Sequence, residues 1–500
     1  MNVPIRDPRR WWILIVLCLS TLVLVVDNMV LTVAVPPLAE DLGASAQDTQ
    51  WILDSYILVF AGLLLTSGSL GDRFGRRKVM IVGLLLFGVA SLVAAFATNP
   101  LELIASRAVM GVGGALIMPS TLSILITVFD DEERRKAMAA WSAVAMIGLI
   151  GGPVLGGVLI AWFWWGAVFL INVPIVVIAV IAALTLMPES KGPWQKPDPL
   201  GAVLSAAGMV SLVWTIIELP KHGLAEAGTL IPLAVAIVCL TGFVFWERHT
   251  PSPMVPLKLF RKRNFSGGSL SLTLVQIGNG GLLLLLTQYL QFVLGYTPTE
   301  AGLAFIPMAI ASLLFNTLGA TLGQKIGNRA LTTVGMIVMA GGFGLLATMA
   351  ANEGFLLPAA ALFLLGAGGG VAMPAAIAAL MGEVPEEQAG VGSALNDTIQ
   401  QLGAALGIAI LGSIVSSLFT SHMPESAPAQ ARLSIGDAFA TGNDGLIAAA
   451  RESFTSAMST TFLASAAGVL AAAVVAFLVM RDKKTAPVPP DSGEKAPAAV

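Results

Sequence analysis

The sequence predicts an all-α integral membrane protein with fourteen membrane-spanning helices, and three observations support this fold class. Of the 500 residues, 56% are hydrophobic and only 11% are charged, whereas soluble domains carry about a quarter charged residues. The apolar residues form runs of about 20, the length at which a helix crosses a bilayer. Two sequence patterns also recur in the second half of the chain, which indicates duplication.

Fourteen runs have the required length, and several contain Gly or Pro, which membrane helices tolerate. We place the spans at residues 11–35, 50–70, 79–97, 101–125, 137–161, 165–187, 199–219, 229–247, 266–293, 300–322, 331–350, 355–381, 391–418 and 456–480. The first run follows Arg9 and Arg10 as in a signal peptide. It is long, contains Asp27 and lacks a small-residue cleavage site, so we interpret it as an uncleaved helix.

The repeats define the domain organisation. Residues 70–77 recur at 322–329, and the glycine-rich segment 110–119 recurs at 365–374. Both recurrences pair spans 2–4 with spans 10–12, an offset of eight spans. Two parallel six-helix bundles with an extra helix pair between them would explain this offset. We expect a cytoplasmic N-terminus at 1–10, a bundle at 11–190, a linker pair at 199–250, a bundle at 265–480 with a long extracellular loop at 419–455, and a disordered cytoplasmic tail at 481–500. A short amphipathic helix is expected within that loop, near Leu446–Phe454.

The positive charges predict the orientation. With the N-terminus inside, 23 of the 27 Lys and Arg residues lie in cytoplasmic segments and 3 lie in outward loops, while Arg107 lies within a span. This asymmetry predicts that both termini are cytoplasmic.

Composition and motif content disfavour several functional classes. The net charge of −3 gives no basic surface for nucleic acid. The chain has two Cys and three His, and the His residues all lie in connecting segments. The sequence contains no phosphate-binding G-x-x-x-x-G-K-[ST] loop. We therefore expect no catalytic residues, no metal site, no cofactor and no ATPase activity.

Ionisable side chains within the spans are functional candidates, because each costs about 3 kcal/mol on insertion scales. Asp27 and Arg107 lie roughly 12 Å and 10 Å from the outer ends of spans 1 and 4, so they are at similar depth and could pair. Asp54 lies in the outer quarter of span 2 and Asp397 in the inner half of span 13, and a structural role is the alternative for both. Glu218 closes the outer end of span 7, where a snorkelling surface charge is the alternative.

Two segments carry glycines at defined spacing. The turn between spans 2 and 3 contains Gly68, Asp72, Arg73, Gly75, Arg76 and Arg77. Asp72 is suited to accept from helix N-terminal amides or to pair with a basic neighbour, forming a charge latch. A solvated turn is the alternative. Span 5 contains Gly148, Gly152, Pro153, Gly156 and Gly157, and glycines four residues apart allow another helix to pack closely.

Both segments resemble known signatures. The first is similar to the G-x-L-a-D-r-x-G-r-[kr] signature of the major facilitator superfamily, and the second to the g-x-x-x-G-P-x-x-G-G motif of its drug/proton antiporters. Trp51–Tyr56, Phe169–Pro174 and Tyr289–Gln291 also resemble the fourteen-helix drug/proton antiporter family. This resemblance implies the major facilitator fold, in which two six-helix bundles are related by a pseudo-two-fold axis, here with two extra linker helices.

The resemblance also implies a function. Members of this family export lipophilic, often cationic, compounds from bacteria across the cytoplasmic (inner) membrane, driven by the proton motive force. In that family the acids matching Asp27 and Asp54 take part in proton or cation handling, and the Arg matching Arg107 takes part in proton transfer. We therefore expect these three residues to couple protons to transport. The candidate substrate site is drawn from Asp27, Asp397, Glu218, Tyr56, Asn279 and Gln288.

Two alternatives remain open at this level. The first is export of a single antibiotic or metabolite on the same fold. The second is a proton symporter that imports a nutrient, which the span 5 motif disfavours. The expected partners are small lipophilic or cationic molecules, protons and the lipid bilayer, with no nucleic acid, and we expect a monomer.

Overall fold

A computed structural model describes residues 8–44, 46–192, 198–222, 226–251, 253–350 and 354–481. Every regular element in these ranges is helical. Within the described part of the chain, thirteen segments are long and apolar enough to cross a bilayer. The remaining predicted span, 137–161, lies within a further helix of 32 residues, Asp131–Trp162.

The helices follow the predicted order of spans. The N-terminal half contains α1 (Arg10–Leu42), α2 (Ala46–Phe74), α3 (Arg76–Ala95), α4 (Pro100–Val128), α5 (Asp131–Trp162), α6 (Ala167–Leu170) and α7 (Asn172–Leu186). The linker hairpin consists of α8 (Pro199–His222) and α9 (Ala227–His249). The C-terminal half contains α10 (Arg263–Gln288), α11 (Pro298–Leu303), α12 (Ile306–Ile326), α13 (Asn328–Leu346), α14 (Leu356–Met381), α15 (Ala389–His422), α16 (Ile435–Ala440) and α17 (Asp444–Val479).

Each half is built mainly around an apolar core of its own. One is built mainly from buried side chains between residues 13 and 187, and the other from buried side chains between residues 275 and 480. Large apolar side chains on the outer faces remain exposed, among them Val89, Ile178 and Leu478. Such a continuous apolar exterior is stable in lipid rather than in water.

The sequence repeat is also a structural repeat. Gly83 of α3 packs against Gly113 of α4, and Gly335 of α13 packs against Gly368 of α14 in the same way. In both pairs a side chain would collide with the facing backbone, so glycine allows the two helices to approach. The turns that precede α3 and α13 repeat as well, because Gly75 and Gly327 both have positive φ, 115° and 92°.

The linker hairpin packs on the outside of the N-terminal half. Gly62 of α2 packs against Val210 of α8, and the Trp51 and Trp214 rings meet edge to face at 4.9 Å. The second linker helix, α9, contacts α8 and exposes apolar side chains such as Ile231 and Phe245. The helix pair therefore packs against α2 through α8, which also contacts α15 of the C-terminal half.

The structure differs from the sequence-based boundaries at several places, including α1, which extends to Leu42, and span 10, which is divided into α11 and α12. Span 6 is interrupted at Ile171, which separates α6 from α7, and span 9 ends in a π-helical turn, Tyr289–Val293. The predicted loop 419–455 is shorter, because α15 extends to His422 and α17 begins at Asp444. Asn443 caps α17 by accepting from the Gly445 and Leu446 amides at 3.0 and 3.3 Å. The helix therefore starts there and continues unbroken, so the separate helix expected near Leu446–Phe454 was wrong.

The tail expected to be disordered lies outside the described residues from 482 onward, as do residues 1–7 of the N-terminus.

Candidate functional site

A buried ion pair joins two helices of the N-terminal half. Arg107 Nη1 of α4 donates to Asp27 Oδ2 of α1 at 2.6 Å. The two residues are 1% and 2% exposed. The α4 helix begins at Pro100, where the Asn99 side chain caps it by accepting from Glu102 N at 3.0 Å. Arg107 lies two turns into this helix, and the structure thus places it at the depth of Asp27, as the helical rise suggested.

The second oxygen of Asp27 has a neutral donor. Asn172 Nδ2 donates to Asp27 Oδ1 at 2.7 Å and also lies 3.3 Å from Ser91 Oγ of α3. Asn172 is the first residue of α7. Pro174 follows in the first helical turn, where the missing N–H costs no intrahelical bond. The first residue of α7 thus places a neutral amide beside the carboxylate.

Arg107 is held on its other sides by α1 and α2. Its Nε donates to Ile52 O at 3.3 Å, and its Nη2 lies 3.5 Å from Asn28 Oδ1. The guanidinium carbon sits 4.4 Å from the centroid of the Tyr56 ring, which is itself buried. A cation above an aromatic face is stabilised by the ring quadrupole, so Tyr56 belongs to the ion-pair site.

This arrangement suits a group that exchanges a proton. A charged carboxylate in an apolar interior depends on its donors and its counter-ion, and burial favours the neutral acid if either is lost. Asp27 has one cationic and one neutral donor, whereas Arg107 has additional acceptors and an aromatic face. Protonation of Asp27 would therefore remove the ion pair while Arg107 keeps other contacts.

The acids Asp54 and Glu218 lie away from this ion pair, and both are half-buried. They belong to α2 and α8, which run antiparallel. Asp54 lies eight residues before Gly62, and Glu218 lies eight residues after Val210. Each acid is therefore about 12 Å along its own helix from the Gly62–Val210 contact. The two acids therefore lie at the same level on neighbouring helices.

Asp397 lies in the other half, on α15, and is 1% exposed. Its Oδ1 accepts from Asn396 Nδ2 at 3.0 Å, and among the described residues its Oδ2 has no hydrogen-bond partner. Residues 389–398 of α15 are all buried, whereas residues 399–402 are half-buried. Asp397 thus lies at the boundary between a tightly packed helix segment and a more open one.

The amides predicted for the substrate site are both on α10 and half-buried. Asn279 Nδ2 donates to Gln276 Oε1 at 3.2 Å, while the Asn279 carbonyl oxygen has no hydrogen-bond partner among the described residues. Gln288 is the last residue of α10, before the π-helical turn. The structure therefore places these two amides in the C-terminal half and not at the ion pair.

The two halves meet at the end of the molecule where α2 ends and α3 begins, which we call the motif end (residues 68–77). Asp72 Oδ1 accepts from Arg76 at 2.8 Å and from Gly390 N at 2.9 Å, and its Oδ2 accepts from Val391 N at 3.0 Å. Arg76 Nη2 also donates to Glu386 O at 2.7 Å. A carboxylate at the N-terminus of α15 is favoured by the helix dipole, so Asp72 joins the halves when the motif end is closed.

The packing around Asp72 is very close. A side chain at Gly68 would collide with the Gly390 carbonyl and with Ala394. Gly75, with its positive φ, faces the Glu189 carboxylate, and Glu189 Oε1 accepts from Arg77 N at 3.1 Å. Asp72 and its neighbours thus form a hydrogen-bonded contact between the halves, and the segment that follows α7 packs beside it. Arg73 instead lies within electrostatic reach of Asp198 and Glu247.

The glycines of α5 line its contact with α1. Side chains at Gly148 and Gly156 would approach Leu22 and Val30 to 3.1 Å, and one at Gly152 would collide with Met29. Pro153 and Gly157 lie in the same stretch of α5. This contact positions α1, and therefore Asp27, beside α4.

Sequence reasoning missed one part of this site and two acids outside it. It assigned no individual role to Asn172, which it quoted only within the segment Phe169–Pro174, or to Ser91. It also overlooked Asp198 and Glu247, because both lie at the ends of spans, where a charge needs no special explanation. Among the described residues, no three His, Cys, Asp or Glu side chains are grouped so that they could hold a metal ion.

Comparisons with known proteins agree with this architecture. Residues 17–408 match the family described as Major Facilitator Superfamily. The multidrug efflux pump LfrA of Mycolicibacterium smegmatis is 36% identical over 493 residues, covering 95% of this chain and 97% of the relative. The cephamycin export protein CmcT of Amycolatopsis lactamdurans is 36% identical over 435 residues, covering 85% of this chain and 88% of the relative.

A solved structure shares the fold. The crystal structure of the human organic anion transporter MFSD10 (TETRAN) superposes with a TM-score of 0.62 at 15% identity, covering 92% of this chain and all of that chain. The predicted all-α membrane fold and the resemblance to major facilitator exporters are confirmed. The chain belongs to the Major Facilitator Superfamily and is a multi-pass membrane transporter, not an enzyme.

Proposed function

We propose that this protein is a proton-coupled multidrug efflux antiporter of the bacterial cytoplasmic (inner) membrane, and that Asp27 is its coupling carboxylate. The observation that carries the proposal is the buried Asp27–Arg107 pair at 2.6 Å. Burying a charge pair this deep among apolar helices costs free energy, so its presence indicates a function.

The exchange follows from the contacts of Asp27. A proton arriving at Asp27 neutralises the carboxylate and releases Arg107 towards Asn28, Ile52 and Tyr56. When the proton leaves, the carboxylate needs a cation again, and either Arg107 or a lipophilic cationic substrate can supply it. Protons and substrate thus compete for one charge, so the two move in opposite directions.

The contacts of Asp72 provide the gate. With the motif end in the cytoplasm, as the distribution of Lys and Arg predicts, the contact between α2 and α15 closes the cytoplasmic side. Opening would break the hydrogen bonds from Gly390 and Val391 to Asp72. Each elementary charge that crosses the membrane contributes about 2.3 kcal/mol per 100 mV to this cycle.

The substrate class is proposed from the remaining acids and from the relatives. Asp54, Glu218 and Asp397 are anionic groups among apolar helices, and Tyr56, Asn279 and Gln288 add aromatic and amide contacts. Such a set fits lipophilic cations of varied shape. The LfrA relative is a multidrug efflux pump, which agrees with this proposal.

Export of one dedicated compound is the second candidate. It is favoured by the cephamycin export relative, which has the same 36% identity to this chain as the multidrug pump, although over 435 rather than 493 residues. The two candidates share the fold and the coupling chemistry and differ only in the range of substrates.

Ethidium efflux from a pump-deficient host tests the function. We expect cells that express the chain to extrude ethidium and to stop when a protonophore collapses the gradient. A panel of unrelated toxic cations separates the candidates, since a multidrug pump protects against several and a dedicated exporter against none or one. Efflux that persists without a gradient would refute proton coupling.

A further inference from the structure

Two acids at the motif end take no part in the site described above. Asp198 immediately precedes α8, and Glu247 lies near the end of α9, so together they join the two ends of the linker hairpin. They are only 6% and 4% exposed. Buried carboxyl groups need donors or a counter-ion, so their surroundings decide their charge.

One oxygen of each acid is satisfied by N–H donors. Asp198 Oδ1 accepts from Gly201 N and from Trp246 Nε1, both at 2.8 Å. Glu247 Oε2 accepts from Val255 N at 2.9 Å. These bonds cap α8, attach it to α9 and anchor the segment that leads from the hairpin to the C-terminal half.

The other two oxygens converge. Asp198 Oδ2 and Glu247 Oε1 have no donor among the described residues. Both lie next to the Cα of Gly201, where a Cβ atom would come within 2.9 Å of Glu247 Oε1 and collide with Asp198 Oδ2. Because both oxygens lie around this one position, the two carboxyl groups are close neighbours. A carboxylate only accepts hydrogen bonds, so these two oxygens can pair with each other only if a proton lies between them.

A cation lies nearby. Arg73 of α2 is within electrostatic reach of both acids and lines a recess beside Met254 and Pro256. The recess is also lined by Asp72 and Val391 of the closed gate and by Glu387. Among the described residues, Arg73 is thus the cation that both acids face, and Asp72 and Glu387 line the same recess as Arg73.

We propose that Asp198 and Glu247 bind one proton between them and form a titratable dyad outside the substrate pathway, and that this proton holds the linker hairpin together beside the gate. With the proton bound, the dyad carries one negative charge, which Arg73 balances. Without it, two adjacent buried carboxylates repel each other and separate the ends of α8 and α9. If the two acids only capped helices, Asp198 Oδ1 and Glu247 Oε2 would be sufficient, and the other two oxygens would have no reason to lie close together.

Infrared spectra of the purified full-length protein test for the proton. We expect the difference spectrum between wild type and Glu247→Gln to contain the C=O band of a protonated carboxylic acid that shifts in heavy water. Asp198→Asn should remove the same band, because each amide replaces the shared proton with its own N–H. The control Glu226→Gln changes an exposed acid at the opposite end of the hairpin and should leave the band intact.

The pH dependence of stability gives a second readout. Because the folded dyad holds a proton that separated carboxyls release, stability falls as pH rises, with the unfolding equilibrium constant increasing up to tenfold per pH unit for one proton. Glu247→Gln and Asp198→Asn should flatten this slope, whereas Glu226→Gln should not. If neither dyad variant folds, the heavy-water-sensitive band must still be present in wild type and in the Glu226 control. The proposal would be overturned if the dyad variants kept both the infrared band and the wild-type pH dependence of stability. It would also be overturned if the wild-type spectrum lacked the band. This test does not involve transport, so its outcome is independent of the efflux mechanism.

Discussion

Arg107 Nη1 donates to Asp27 Oδ2 across 2.6 Å, joining α4 to α1 where both side chains are almost completely buried. Each partner compensates the desolvation of the other. Removing one leaves a buried charge without its partner, which in other proteins costs about 3–5 kcal/mol. The pair is therefore a structural bond between two helices as well as the candidate coupling site.

A double-mutant cycle should reveal this mutual dependence. We expect Asp27→Asn and Arg107→Gln each to destabilise the protein by about 3–5 kcal/mol. The double variant should cost clearly less than the sum, because no unpaired charge remains. Unfolding in detergent micelles at fixed pH measures all four proteins. Strict additivity would mean that the two side chains do not interact.

The Asn172 amide should contribute less than Arg107 does. Asn172→Leu keeps most of the side-chain volume but removes the neutral donor to Asp27 Oδ1. An unsatisfied buried acceptor costs about 1–3 kcal/mol, so we expect a loss of stability in that range and a partial loss of ethidium efflux. Ser91→Ala is the matched control, since Ser91 contacts the same amide at 3.3 Å without touching Asp27. Equal losses in both variants would contradict a specific Asn172–Asp27 bond.

Neighbouring glycines on α5 offer a steric test. A methyl group at Gly152 would collide with Met29, whereas Gly151 has open space around it. We expect Gly152→Ala to displace α1 and to reduce efflux severely, with a stability loss of about 1–3 kcal/mol. Gly151→Ala should transport normally. The comparison uses initial rates of ethidium efflux at matched expression, and similar rates for the two variants would contradict the close α1–α5 contact.

Gly68 and Gly71 provide a similar pair at the gate. Alanine at Gly68 collides with the Gly390 backbone, while at Gly71 its nearest neighbour is 3.8 Å away. We expect Gly68→Ala to oppose closure of the motif end by about 1–3 kcal/mol, which shifts the open population by roughly 5- to 150-fold.

Cysteine labelling at Val391 measures this shift, in a background without Cys18 and Cys239. Val391 is buried beside Asp72 in the closed state, so a cysteine there should react faster with a membrane-permeant maleimide in the Gly68→Ala variant. Gly71→Ala should label at the parental rate. Slower labelling in the Gly68→Ala variant would show that the substitution favours closure.

Much of this fold follows from the sequence, because a bilayer constrains helices strongly. Hydropathy and length placed every predicted span on a helix or on two consecutive helices, although some helices extend further, as α1 does to Leu42 and α17 does back to Asp444. The cap at Asn443 was not anticipated, since a polar loop gives little indication of where the next helix begins. The recurrence of Gly75 at Gly327 in the sequence likewise predicted a structural repeat. Both glycines have positive φ in the corresponding turns.

The site was only partly predictable. Depth along a helix can be counted, so the proximity of Asp27 and Arg107 could be anticipated from the rise per residue. Which face each helix presents depends on packing between distant segments, and Asn172 reaches Asp27 through the packing of α7 against α1. The meeting of Asp198 with Glu247 depends on how the linker hairpin folds back, which no local pattern specifies.

Substrate-induced proton movement in proteoliposomes tests the central claim most directly. Wild-type protein and Asp27→Asn are reconstituted at equal density with a pH-sensitive dye inside, and ethidium is added under an imposed proton gradient. We expect wild type to move protons when substrate is added and Asp27→Asn to move none. Equal proton movement by the two proteins would show that Asp27 is not the coupling carboxylate.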